Sequence, residues 1–110
     1  MHRHCLALDL VDNDGSIAAY EQWHREVWPE IIESICGSGI DQMEIYRAGN
    51  RLFMVMEVND AFSFEKKAEA DAADPKVQEW EKLMWQFQQP LPFARPGEKW
   101  VLMDKIFQLT

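Results

Sequence analysis

Hydrophobic and polar positions alternate from His4 to Val11, putting Leu6, Leu8 and Leu10 on one side of an extended segment and predicting a strand. Asp12, Asn13, Asp14 and Gly15 supply turn chemistry, with Asp14 or Ser16 as a cap for the next helix. From Ile17 to about Cys36 the apolar period becomes helical. Ile17, Tyr20, His24, Val27, Trp28, Ile31 and Ile35 share one arc at about 100° per residue. Pro29 has no N–H to bond back to Arg25, so a kink is predicted there, and Gly37 and Gly39 end the helix.

Alternation returns over Gln42 to Arg47, with Met43 and Ile45 on one face and Gln42, Glu44 and Tyr46 on the other. Ala48-Gly49-Asn50 reads as a hairpin turn. The apolar run from Arg51 to Val58 is the return strand, central in the sheet. A second helical region is predicted from Asp60 to about Ala73. Asp74 then caps another, with Pro75 at its first position and an apolar stripe of Val77, Trp80, Met84 and Phe87. Pro90, Pro92, Pro96 and Gly97 make a rigid loop before a final strand from Trp100 to Leu109.

The order strand, helix, strand, strand, helices, strand predicts an α+β, ferredoxin-like split βαβ plait: a four-stranded antiparallel sheet with helices on one face. The other face is expected to be rich in Met and aromatic side chains and to be covered by a second copy of the chain, giving a homodimer whose sheets enclose a barrel. No repeat, low-complexity tract or linker divides residues 1–110, so one domain is expected.

Composition narrows the partners. Hydrophobic residues are 47% and charged residues 27% of the 110, an ordinary globular balance. Eleven Lys and Arg against 19 Asp and Glu give a net charge of −8, which repels phosphate backbones and anionic lipid. Nucleic acid and membrane are therefore poor partners, while a small neutral ligand is untouched by the argument. The apolar run near the N-terminus is broken by Asp9, is far shorter than the roughly 20 residues of a membrane span, and has no small-residue cleavage site. Cys5 and Cys36 are too few for a disulfide framework and too isolated for zinc, as expected of reduced thiols in the cytoplasm.

Several constellations are missing. Cys36-Gly37-Ser38-Gly39 lacks the helix and lysine of a phosphate loop, there is no Cys-x2-Cys or His-x3-His, and no nucleophile motif appears. No metal site is expected. His24 is the informative residue, flanked one turn away on either side by Tyr20 and Trp28, all on one ridge facing the sheet. It reads either as a core histidine bonded to a buried partner or as the proton-transfer group of a pocket for a polar ring, since imidazole titrates near neutrality. Tyr20 is either an amphipathic residue with its hydroxyl in water or a ligand hydroxyl. Trp80 is either core or a stacking platform for the C–H face of a sugar. Glu81 is either a solvated flank or an acceptor at the pocket rim.

Tyr20-Glu21-Gln22-Trp23-His24-Arg25-Glu26-Val27-Trp28-Pro29-Glu30, with Ile45-Tyr46, Leu52-Phe53, Glu57 and Val77-Gln78-Glu79-Trp80 followed by Met84, resembles the L-rhamnose mutarotase family. The likeness covers most of the chain and is weakest in the proline loop. It implies a dimeric, cofactor-free and metal-free isomerase that interconverts the α and β anomers of a 6-deoxy-L-hexose. It also implies a proton donor at His24 and sugar binding at Tyr20, and it sets the candidate binding residues Trp80 and Glu81 at a family binding position. Two positions depart from the family pattern: a strand tyrosine is Met43 here, and a tandem Trp-Trp is Trp80-Glu81. Those changes and the segment Gln88 to Pro92 look more like members associated with L-fucose, with L-rhamnose next. The rival readings are a non-catalytic dimeric ligand-binding module and a cofactor-free monooxygenase on the same scaffold.

Overall fold

In the computed structural model, which describes residues 1–110, the first alternating segment forms β1, His2–Leu10. Asn13 then caps α1, Asp14–Arg25, its side chain accepting from the Ser16 N–H at 3.0 Å. The cap thus falls on the residue before Asp14, because Asn13 is the last one with extended dihedrals (φ −149°, ψ 123°).

The single kinked helix expected from Ile17 to Cys36 is two helices. α1 stops at Arg25 and α2 occupies Pro29–Gly37. Proline drives the residue before it out of helical geometry, and Trp28 accordingly sits at φ −57°, ψ 138°. Pro29 then takes the first position of α2, where a missing N–H costs no hydrogen bond.

Gly39, at φ 97°, turns the chain into β2, Ile40–Ala48, and the hairpin at Gly49-Asn50 returns it as β3, Arg51–Val58. Ser63 caps α3, Phe64–Ala73, and Asp74 caps α4, Pro75–Trp85, accepting from the N–H groups of Lys76 and Val77. Two short strands follow, β4 at Gln88–Gln89 and β5 at Val101–Leu102. The sheet order is β2-β3-β1-β4, with β5 also on β1 and every pairing antiparallel. This is the ferredoxin-like α+β plan.

The final strand is far shorter than Trp100 to Leu109. Only Val101 and Leu102 pair with β1, and the N–H of Met103 adds one bond to the Cys5 carbonyl. Residues 103–110 carry no regular structure, and Ile106, Phe107 and Leu109 are 95%, 74% and 85% exposed. Their apolar side chains find no core within one copy of the chain. The edge of β1 is shared instead with β4, which takes Asp9 and Leu10.

The helix-side face of the sheet holds the core. Leu8 and Leu10 are fully buried and Leu52 nearly so; Leu10 and Leu52 pack with Ile17, Tyr20, Ile31, Val77, Trp80 and Met84. A second cluster joins Leu6, Ile40, Met56 and Val58, with Met43 and Met54 against it. The methionines therefore face the helices, contrary to the expected Met-rich outer face. Register explains this: Met54 opposes Leu6 and Met56 opposes His4 and Met43, all with the helix-side parity. The outer face instead presents Cys5, Ala7, Phe53, Val55 and Tyr46, bordered by Arg3–Glu57 at 3.0 Å and by Asp9 with Arg51. Asp9 is 4% exposed and accepts from the Arg51 guanidinium at 2.8 and 3.2 Å.

Candidate active site

α1 runs above the β2 side of the sheet, and the gap between them is a cleft of about 530 Å³. That falls within the roughly 300–1,000 Å³ of small-molecule sites. It is lined by Tyr20, Glu21, His24 and Arg25 from α1 and by Ile45, Tyr46, Arg47 and Leu52 from the hairpin. The helical period puts Tyr20 and His24 on one side of α1, and the strand period turns Ile45 and Arg47 toward them from below.

The ring of His24 is half-buried in the last turn of α1, 4.4 Å between centroids from Tyr20 and 5.8 Å from Trp80. Its Nδ1 lies 2.9 Å from the carbonyl oxygen of Tyr20. A carbonyl only accepts, so Nδ1 carries the hydrogen in either charge state of the ring. Proton exchange is left to Nε2. Trp80 meets His24 at a steep interplanar angle of 67° and itself contacts Trp23 at 6.5 Å and Trp28 at 5.1 Å.

Tyr20 is 4% exposed, and burial pushes its phenol up to about 12, opposed by a hydrogen bond in which Gln88 Nε2 donates to its oxygen at 3.3 Å. At neutral pH the group is therefore a phenol whose own proton is free for an oxygen in the cleft. Tyr46 turns outward and gives its proton to Glu44 at 2.9 Å.

Of the residues singled out by sequence, the structure gathers Tyr20, His24 and Trp80 into one aromatic stack. Trp80 is 8% exposed within the core and backs the imidazole rather than lining the cleft. Glu81 lies beyond it on α4, half-buried, with Gln78 Nε2 at 3.5 Å, and does not line the cleft either. Sequence reasoning misses Gln88, Glu21 and Arg47. Gln88 is 68 positions from Tyr20 and gives no local signal. Arg47 has one: its alternation parity matches Met43 and Ile45, an arginine on an otherwise apolar face. No group of three or more His, Cys, Asp or Glu side chains converges as a metal site, and no helix is long and apolar enough to cross a membrane.

The ferredoxin-like plait thus holds a cleft beside an imidazole whose Nδ1 is fixed as a donor and a neutral phenol, groups able to exchange protons and hydrogen bonds with a small polar molecule. The relatives define the class. The family model described as L-rhamnose mutarotase matches residues 3–109. An L-fucose mutarotase from Xanthomonas campestris is 49% identical, covering 100% of this chain and 90% of its own. Among solved structures, the L-rhamnose mutarotase from Formosa agariphila superposes with a TM-score of 0.72 at 21% identity, covering 100% of both chains. A dimeric ferredoxin-like protein from an uncultured marine organism gives 0.54 at 14% identity, covering 98% of this chain and 91% of its own. The chain belongs to the L-rhamnose mutarotase family and is a sugar mutarotase, an isomerase.

Proposed function

We propose that the protein interconverts the α and β anomers of a 6-deoxy-L-hexose, L-fucose by preference and L-rhamnose next, with His24 as the proton-transfer group. The observation that carries this is the Nδ1 contact to the Tyr20 carbonyl, which leaves Nε2 as the exchangeable site beside the cleft. In the opening step protonated Nε2 gives its proton to the ring oxygen as the bond from C1 to that oxygen breaks. The anomeric hydroxyl loses its proton to water, which the open cleft admits. The aldehyde rotates about C1–C2, and the reverse transfers close the ring on its other face. No electrons leave or enter, so one general acid–base group and its hydrogen-bonding neighbours suffice, worth about 10²–10⁴-fold.

Tyr20 donates its phenolic proton to a sugar oxygen. Trp80 serves binding through the imidazole it backs, and Glu81, next to it on α4 and outside the lining of the cleft, makes no direct contact with the sugar in this reading. The preference for L-fucose is supported by the 49% identical relative of that name and by the two departures, Met43 and Glu81, from the rhamnose pattern. The reading includes a homodimer, supported by the uncovered outer face, the apolar tail and the dimeric structural relative, and a cytoplasmic location, supported by the unpaired Cys5 and Cys36.

Saturation-transfer NMR between the two anomeric protons tests it. The wild type should exchange L-fucose anomers faster than buffer, and folded His24→Ala should fall back to the buffer rate. Undiminished exchange in that variant removes His24 from the chemistry.

A further inference from the structure

Arg47 ends the inward-facing row of β2, after Met43 and Ile45, so the pattern brings a guanidinium against the cleft where aliphatic side chains precede it. It is held at two points. Nε donates to Glu21 Oε1 at 3.1 Å across the cleft, and Nη1 donates to the Gly49 carbonyl at 2.7 Å in the hairpin turn. A guanidinium has five N–H donors; these bonds use two, and the other three have no protein partner. Glu21 Oε2 likewise has none. Both side chains are half-exposed at the mouth, 38% for Arg47 and 45% for Glu21. Ion pairs so exposed add little to stability, so a tie between α1 and β2 is a poor reason for the pair.

Its chemistry suits a polyol. Each sugar hydroxyl both donates and accepts, and the pair offers fixed donors next to a free acceptor. The parallel N–H groups of arginine match two adjacent oxygens in a way that lysine cannot. Arg25, the other cation of the cleft, bonds an amide, Gln22 Oε1 at 2.6 Å, and so does not form the donor–acceptor pair that Arg47 makes with a carboxylate.

We propose that Arg47 and Glu21 form the element that reads the sugar's hydroxyls: the free N–H groups of Arg47 and Oε2 of Glu21 grip neighbouring hydroxyls of the pyranose and set which 6-deoxyhexose is accepted. L-fucose and L-rhamnose differ in hydroxyl orientation at C2 and C4, which is the kind of difference a fixed donor–acceptor pair distinguishes. The inference rests on the mutarotase reading above and adds its specificity determinants. These residues bind substrate ground state and transition state alike, so their loss raises KM and leaves kcat nearly unchanged.

The test is the concentration dependence of anomer exchange for L-fucose and L-rhamnose, in wild type, Arg47→Met, Arg47→Lys and Glu21→Gln, with thermal unfolding of each. Arg47→Met is expected to raise KM for the preferred sugar roughly 10–100-fold, the range for losing hydrogen bonds to a charged group. kcat should change less than about threefold, and the ratio of kcat/KM for the two sugars should move at least about fivefold, toward parity. Arg47→Lys and Glu21→Gln should show the same shift in part, and they carry the test if the methionine variant fails to fold. Lowered unfolding temperatures with KM and the sugar ratio unchanged would make the pair a structural tie and overturn the inference. Wild type active and His24→Ala inactive, with KM unmoved in all three variants, overturns it while leaving the function intact. A wild type that accelerates neither sugar sinks both.

Discussion

Tyr20→Phe probes the site without touching His24. The phenol is 4% exposed and its ionisation is pushed from the ordinary 10.0 up to about 12 by burial. The folded protein therefore holds this proton more tightly than the unfolded chain does. Such a group contributes stability that is complete below pH 10 and is lost as pH rises through about 12. A tenfold difference in proton affinity between the folded and unfolded chains is worth about 1.4 kcal/mol, so wild type should lose about 1.3 kcal/mol through Tyr20 alone between pH 9 and pH 11. The variant loses none of it. At pH 9 the variant is expected to be less stable, by about 0.5–1.5 kcal/mol, because it drops the bond from Gln88. At pH 11 that deficit should shrink to nothing or reverse. Urea unfolding at a series of pH values reads the difference directly, and other titrating groups cancel in the subtraction. A second readout is optical: with Tyr46→Phe as background, Tyr20 is the sole remaining tyrosine of the two, and its phenolate absorbance should appear near pH 12. A stability gap constant from pH 9 to 11, or phenolate appearing near 10, would refute the burial argument.

Gly39→Ala should destabilise by more than about 1 kcal/mol, measured by urea unfolding, since φ is 97° and a Cβ would stand 2.7 Å from Asn59 Oδ1 and 3.0 Å from the Phe62 nitrogen. Gly49→Ala, with open space around its Cβ but φ 59°, should cost less in the same assay. Asp74→Ala removes the acceptor for the N–H groups of Lys76 and Val77 and should cost about 0.5–2 kcal/mol by thermal unfolding, with anomer exchange kept. Deleting residues 104–110 should leave the unfolding midpoint of the single copy close to wild type, because those residues bury nothing within it. Sedimentation should show the dimer weakened, and a truncated protein that sediments as an unchanged dimer would take the tail out of the interface.

Strands and helices with a clean period are legible because each buries one face. Leu6, Leu8 and Leu10 alternate and are the core of β1, and Val77, Trp80 and Met84 step along α4 and are its buried stripe. Illegible are the decisions made by partners distant in sequence. Whether Trp100 to Leu109 pairs depends on which edge of β1 is free, and β4 takes part of that edge from a distance in sequence. The outward placement of methionine fails on parity: Met54 and Met56 sit in a run apolar on both faces, where alternation carries no sign, and only the pairing to Leu6 and His4 fixes it. In the site, Tyr20 and His24 are legible as one ridge because i and i+4 coincide on a helix. Gln88 is not, since nothing near it in the chain points to Tyr20.

The break at Pro29 shows how a local steric rule reaches the chemistry. In a continuous helix Trp28 would repeat the ridge of Tyr20 and His24. Pro29 disfavours helical geometry at Trp28, and the chain has already left α1 at Glu26; the Trp28 indole packs against Trp80 at 5.1 Å while Trp23 packs on it at 6.5 Å. Trp80, in contact with both, meets the His24 ring at a steep angle, 5.8 Å between centroids, and Tyr20 lies 4.4 Å from the same imidazole. The ring is thus confined by aromatic neighbours and pinned through Nδ1, so little rotation remains to be frozen when a sugar arrives. In the reaction proposed for His24, holding the group in place beforehand is a source of rate, because misplacement of even about 1 Å can cost on the order of a hundredfold.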